Sequence, residues 1–195
     1  MSNVKSALLV GVGGQGAILI SKIMSNGFMQ AGYDVKQSEV HGMAQRGGSV
    51  STTIRYGEKV YSPVIGLGEA DVLISFEKME AVRYAEFLKP DGVAVINDYA
   101  IKSTTIASGA ETYPQGCIEA MEKVFRTIAV PASEIALDLG NAKCMNVVLF
   151  GAMCDSLGCP QIDWEQVVAD TVPEKVKELN IRAFRAGREA AQKCR

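Results

Sequence analysis

An apolar run that stops at four closely spaced glycines, Leu8-Leu9-Val10-Gly11-Val12-Gly13-Gly14-Gln15-Gly16, constrains this 195-residue chain more than any other stretch. A short apolar segment ended by glycine reads as a strand buried on both faces. The residues after it read as a helix: Ile20, Ile23, Met24, Gly27, Phe28 and Ala31 recur at the spacing of one helix face, and Gly32 follows as a stop. Strand, turn and helix supply the context that a G-x-G-x-x-G pattern needs before it counts as an anion-binding turn. In that reading Gly11 permits the sharp exit from the strand, Gly13 lets backbone N–H groups approach a phosphate, and Gly16 lets the helix pack closely on the strand. A purely structural glycine turn is the competing reading.

Further along, residues 34–40 read as a second strand, so residues 5–40 make a βαβ unit with a right-handed crossover. Residues 49–56 alternate Val50, Thr52, Ile54 and Tyr56 with polar neighbours, which predicts a half-buried strand. Residues 56–61 read as a hairpin tip leading into a short partner strand, so the sheet is mixed. Residues 70–76 predict a buried strand, 77–88 a helix, Lys89-Pro90-Asp91-Gly92 a turn, and 93–97 a returning strand. A helix over 116–125, a strand over 126–130 stopped by Pro131, and a short helix over 133–139 follow. Residues 142–157 are apolar nearly all round, as in a buried helix. Asp163 and Gln166 suit an N-cap and its reciprocal partner for a helix carrying Trp164, and a long charged helix occupies 174–193. These elements predict an α/β fold: a three-layer, Rossmann-like domain with a mostly parallel but mixed sheet and a C-terminal helical extension. The expected division is 1–160 for the α/β domain and 161–195 for C-terminal helices packed on it or extending from it.

The chemistry that is missing narrows the function. A net charge of −2 argues against nucleic acid as a partner. No apolar stretch reaches membrane-spanning length and no signal peptide is visible, so the expected compartment is the cytoplasm. The five cysteines, Cys117, Cys144, Cys154, Cys159 and Cys194, contain no C-x-x-C and are expected to be reduced thiols, binding neither zinc nor an iron–sulfur cluster. The single histidine, His41, has no G-x-S-x-G elbow to work with, and a lone loop histidine reads as a structural hydrogen-bonding group. No Walker lysine follows the glycines, since Ala17 and Ile18 stand there.

Two stretches remain as candidate ligand sites. Glu39 lies near the distance past Gly16 at which a dinucleotide fold places its ribose-binding carboxylate. Arg46-Gly47-Gly48-Ser49 sets a fixed guanidinium before two permissive glycines and a hydroxyl, a group able to offer charge and backbone N–H groups to a phosphate or carboxylate. The alternative for that loop is a glycine bulge in which Arg46 pairs with a local acid such as Glu39.

Four motifs, taken together, resemble one family. They are Gly11-Val12-Gly13-Gly14-Gln15-Gly16, then Ser38-Glu39-Val40-His41-Gly42-Met43-Ala44-Gln45-Arg46-Gly47-Gly48-Ser49, then Ala70-Asp71-Val72-Leu73 and Leu88-Lys89-Pro90-Asp91-Gly92. Their order and spacing over about residues 5–157 resemble the gamma subunit or domain of 2-oxoacid:ferredoxin oxidoreductases, and the form of residues 41–48 is most similar to the small (beta) subunit of indolepyruvate:ferredoxin oxidoreductase. The resemblance implies a subunit with no catalytic residue of its own, required by a complex that decarboxylates a 2-oxoacid, passes the acyl group to coenzyme A and reduces ferredoxin. It places thiamine diphosphate and the iron–sulfur clusters on a large partner subunit, with ferredoxin reached indirectly. Coenzyme A is expected at the shared interface, with Gly11, Gly13, Gly14, Gln15 and Gly16 or Arg46, Gly47, Gly48 and Ser49 holding either its phosphates or the subunit contact itself. No tightly bound cofactor or metal is expected on this chain, and the isolated chain is expected to pair with itself. The other readings are a free-standing NAD(P)- or flavin-dependent oxidoreductase using Glu39, and an adaptor without a ligand.

Overall fold

The structure, a computed structural model, describes residues 4–41 and 47–194. One six-stranded sheet runs through it in the order β2-β3-β1-β4-β5-β6. Its strands are β1 (Lys5–Val12), β2 (Asp34–His41), β3 (Ser49–Gly57), β4 (Ala70–Ser75), β5 (Leu88–Asn97) and β6 (Arg126–Val130). β1, β4, β5 and β6 are parallel, while β3 runs antiparallel to both β1 and β2.

Both faces of the central strands are covered, which explains why β1 is a continuous apolar run. Ala7 and Leu9 face one core, whereas Leu8 and Val10 face the other. The larger core is closed by α1 (Ala17–Gln30), α5 (Ala132–Asp138), α6 (Met145–Met153), α7 (Trp164–Thr171) and α8 (Lys177–Lys193). The smaller one lies under α2 (Lys78–Arg83) and α4 (Cys117–Glu122), with Ala81 and Met121 turned into it. A short α3 (Thr104–Ala107) precedes α4. The α/β class and mixed sheet expected from the sequence are the ones found.

Several local expectations need correction. β1 and β2 are joined by α1, yet they are not neighbours, because β3 inserts between them. The hairpin partner of β3 is therefore β2, and residues 58–69 form no strand. That segment is held instead by side chains: Asp34 Oδ2 accepts from Val60 N–H at 2.9 Å, and Arg55 Nη1 donates to Val64 C=O at 2.9 Å. The helix expected over 77–88 ends at Arg83, and a 3₁₀ turn over Ala85–Phe87 returns the chain to the sheet so that Leu88 can pair with Ala70 and bury its side chain. Lys89-Pro90-Asp91-Gly92 does not turn the chain but bulges within β5, where the pairing shifts from Ala70–Leu88 to Val72–Val93. The helix expected over 116–125 is confined to α4. Asp163 does cap α7 by accepting from Gln166 N–H at 3.1 Å, but the Gln166 side chain reaches forward to Asp170 instead of back.

The helices of the last 35 residues are part of the larger core: Trp164, Val167 and Val168 of α7 and Ala183, Phe184 and Ala191 of α8 all belong to it. α8 crosses α6 at unusually close range through two glycines. A Cβ on Gly187 would run into Val148 C=O of α6, and one on Gly151 into Phe184 C=O of α8. An aromatic cluster fills the space beside this crossing, with Phe28 stacked on Tyr56 at 3.7 Å and set edge-on to Trp164 at 5.3 Å. Tyr56 spends its hydroxyl on Leu157 C=O at 2.8 Å.

All five thiols are free, and Cys194 alone among them is exposed. Burial pushes the Cys154 thiol up to about 12, with Asp155 adding to the shift, and burial raises Cys117, Cys144 and Cys159 as well. At pH 8 a thiol reagent should titrate Cys194 rapidly and the other cysteines only after unfolding; rapid reaction of a second thiol would contradict this packing. Gly187→Ala should overpack the α6–α8 crossing by roughly 2–3 kcal/mol, lowering Tm by roughly 5–10 °C in a calorimetric scan.

Candidate functional site

The parallel strands all end at one edge, where an open α/β sheet places its ligands. The glycine turn lies there, between β1 and α1. Gln15 latches it on both sides: Oε1 accepts from Val12 N–H at 2.7 Å, and Nε2 donates to Phe76 C=O at 2.8 Å, just beyond β4. Gly11 is still inside β1, paired with Val50, so it does not turn the chain. Its missing side chain makes room for Gln15, since a Cβ would stand 2.8 Å from Gln15 Oε1 and 3.0 Å from Phe76 Cβ. Gly16 adopts a left-handed φ of 84° at the start of α1. The close approach it permits is to α6, not to the strand: Asn146 Nδ2 donates to Gly16 C=O at 3.2 Å, and a Cβ would run into that amide.

The two glycine motifs meet. Gly13 N–H donates to Gly48 C=O at 2.9 Å, and Gly47 N–H returns to Gly13 C=O at 3.4 Å. These bonds extend the β1–β3 ladder one step beyond the Val12–Ser49 pair. The Gly13 N–H is thereby committed to the other motif. Among the described residues no acceptor is paired with the amides of Gly14, Gly16, Ala17 and Ile18, which border a hollow of ≈ 340 Å³ walled by residues 12–18 and Val50. Ile18 and Val40 stand exposed near this edge, at 57% and 61%. Ser49 Oγ donates to Glu80, a carboxylate only 2% exposed, whose other oxygen accepts from Arg83 Nε at 3.0 Å. Arg46 lies outside the described residues, as does the side chain of His41. The backbone of His41 is in register with Val50 and, through it, with Gly11.

Sequence reasoning missed the polar cluster at the start of α2. Glu77, fully buried, caps that helix by accepting from Met79 N–H (2.8 Å) and Glu80 N–H (3.0 Å). It also accepts from Ile101 N–H at 3.1 Å and from the Tyr113 hydroxyl, tying residues 101–113 to the sheet edge. Burial and this bond raise the Tyr113 pKa above the ordinary phenol range. Asn97, at the end of β5, donates to Phe76 C=O (3.1 Å) and Ser133 Oγ (3.0 Å). Glu77 and Glu80 resemble ordinary helix-start acids in sequence; only their burial distinguishes them.

Among the described residues this edge presents chiefly backbone groups. Among the described residues no group of three or more His, Cys, Asp or Glu side chains is arranged to hold a metal ion, and no helix is long and apolar enough to cross a membrane. Glu39 does not occupy the ribose-binding place of a dinucleotide fold. β3 separates its strand from β1, which puts β2 about 10 Å away. The Glu39 carboxylate instead accepts from Ser21 Oγ and from Gln37 Nε2, both at 3.4 Å.

The chain belongs to the pyruvate ferredoxin/flavodoxin oxidoreductase family, whose model matches residues 6–190. It is 37% identical over 193 residues to the indolepyruvate oxidoreductase subunit IorB of Thermococcus kodakarensis, covering 95% of each chain. It is 40% identical over 187 residues to the IorB of Archaeoglobus fulgidus, covering 92% of each. Among solved structures it is similar to the keto/oxoacid ferredoxin oxidoreductase gamma subunit of Geobacter sulfurreducens, with a TM-score of 0.71, 25% identity, and coverage of 97% of this chain and 99% of that one. The fold also recurs in the 2-oxoglutarate:ferredoxin oxidoreductase of Magnetococcus marinus, at a TM-score of 0.74 and 18% identity. There it matches 99% of this chain but only 32% of the other, in a structure that holds 2-oxoglutarate, coenzyme A and succinyl-CoA.

The Gln15 latch carries a measurable load. Gln15→Ala leaves Val12 N–H without its partner and Phe76 C=O with Asn97 as its remaining donor, and should cost about 2 kcal/mol. Hydrogen exchange should show the Val12 amide losing protection while β5 and β6 keep theirs; an unchanged Val12 amide would mean that the latch does not hold the turn.

Proposed function

We propose that this chain is the small, gamma-type subunit of a 2-oxoacid:ferredoxin oxidoreductase of the indolepyruvate kind. It is required for oxidative decarboxylation of the 2-oxoacid but does not perform it. The observation that carries the reading is the pair of hydrogen bonds joining Gly13 to Gly47 and Gly48, which merges the two family motifs into one surface at the ligand-binding edge of the sheet. That surface offers backbone amides and exposed Ile18 and Val40, with no acid–base or nucleophile pair among the described residues, as suits a chain that closes over a reaction centre belonging to another subunit. In the proposed complex, thiamine diphosphate and the iron–sulfur clusters reside on the large subunit, ferredoxin docks there, and the assembly works in the cytoplasm.

Coenzyme A fits the surface in one limited respect. The open amides around Gly14 and Gly16, with the positive end of α1 behind them, suit a phosphate. When bound, coenzyme A supplies the thiol that accepts the acyl group. The residues of this chain would hold its phosphates and exclude water, Gly14, Gly16 and Arg46 foremost. The engagement of Gly13 N–H by Gly48 and of Ser49 Oγ by Glu80 favours a second reading, in which the merged loops only dock.

Reconstitution with the large subunit tests this. The chain alone should be colourless and inactive towards 2-oxoacids, and adding it should confer turnover on the large subunit. Arg46→Ala should lower kcat/KM by about tenfold or more, the loss of one charge-assisted contact. A yellow preparation, or tight NADH binding seen in Trp164 fluorescence, would overturn the reading. Titration calorimetry with coenzyme A decides between its two forms: binding that needs this chain supports the ligand role, and binding unaffected by it supports docking alone.

A further inference from the structure

Resting on the subunit reading, we propose that Glu80 is a positioning residue: acting through Ser49, it fixes the start of β3, and so the place of Gly47 and Gly48 against the glycine turn. Glu80 sits in the first turn of α2 with its side chain buried, yet both of its partners lie at the rim. One oxygen accepts the Ser49 hydroxyl proton, and the other accepts from Arg83, whose side chain is 53% exposed. Tyr84 OH lies 3.4 Å from Ser49 Oγ on the outer side. Ser49 is the first residue of β3, adjacent in sequence to Gly48, which takes the Gly13 N–H. A single buried carboxylate thus grips the loop one residue beyond the point where the two motifs meet.

A buried carboxylate is a poor device for stability, since an apolar side chain of similar volume often serves as well or better. What the charge adds is direction, because only a group accepting from Ser49 at this spot fixes which way the strand enters the loop. Glu77, one turn earlier, makes the contrast. All its partners are backbone amides of its own helix, Ile101 or Tyr113, so it shapes the opposite flank and leaves Ser49 to Glu80. The bond also gives Ser49 a defined duty. Its one hydroxyl proton points to a carboxylate, so Ser49 serves the shape of the loop and does not itself donate to a bound anion.

The test uses Glu80→Gln, Ser49→Ala, their double variant and Ser49→Thr in the full chain, reconstituted with saturating large subunit. Each of the first two should lower kcat/KM for the 2-oxoacid by about tenfold, as expected for one hydrogen bond to a charged group, while the isolated chain keeps its Tm within a few degrees. The double variant should be no worse than the weaker single, and Ser49→Thr, which keeps the hydroxyl, should recover most of the activity. Multiplying losses in the double variant, or a fall in Tm with unchanged kcat/KM, would overturn the positioning role. If the large subunit turns over equally well without any small chain, the subunit reading itself fails and takes this inference with it. If turnover needs the chain and Arg46→Ala is harmful while Glu80→Gln is silent, only this inference fails.

Discussion

The antiparallel insertion of β3 between β1 and β2 is the constraint on which the site depends. In a dinucleotide-binding sheet the strand beside β1 is parallel, and its carboxyl end brings an acidic side chain to the ribose. Here the neighbour runs the other way, so the end of β1 meets the beginning of β3. A glycine turn is thereby set against a second glycine loop in place of a ribose pocket. Backbone groups that a nucleotide fold would leave for its ligand are partly used to join the two loops, as the Gly13 N–H is. A shared fingerprint therefore has a different consequence, decided by the direction of one strand.

Around that junction the protein relies on polar side chains more than on apolar contact. Gln15, Asn97, Asn146, Glu77 and Glu80 each bond backbone or hydroxyl groups of a different element, and all but Gln15 are buried. Hydrogen bonds of this kind contribute about 1 kcal/mol each in net stability, but they specify geometry far better than apolar packing does. The apolar cores on either face of the sheet supply the bulk of the cohesion and are indifferent to where the loops lie. The polar set fixes the edge.

The sequence displayed the parts of the fold that follow from periodicity and hid those that follow from distant pairing. The double-sided burial of β1 was legible in its unbroken apolar run, and the face of α1 in Ile20, Ile23, Met24 and Phe28. The shortness of α2 was not, because the pull on Leu88 comes from Ala70, across the sheet. Nor did the hairpin of β3 with β2 show itself, since the glycines at 57 and 47–48 are equally good turn signals and only the full sheet selects between them. At the site, both glycine motifs were visible, but the hydrogen bonds that join Gly13 to Gly47 and Gly48 were not. Glu77 and Glu80 escaped notice because charged residues in the first turn of a helix are common on solvated faces, and nothing local says that these two are buried. Asn146 was visible as a polar residue in an apolar helix, but its partner Gly16 lies 130 positions away.

The glycine crossing of α6 and α8 reaches further than its own contact. α6 carries Asn146 at its amino end, under Gly16, and carries Gly151 further along, where α8 lies nearly backbone to backbone. At these glycines no side chain separates the backbones, and Phe150 packs on Phe184 beside them at 5.7 Å, so the two helices pack as one unit. The outer part of that unit is the charged C-terminal helix, whose ion pairs, Arg185 with Glu165 and Arg188 with Asp155, face solvent. A chain trimmed near residue 160 would thus lose more than a surface helix: the glycine turn at the opposite end of the sequence would be left without the rigid backing that holds it in place.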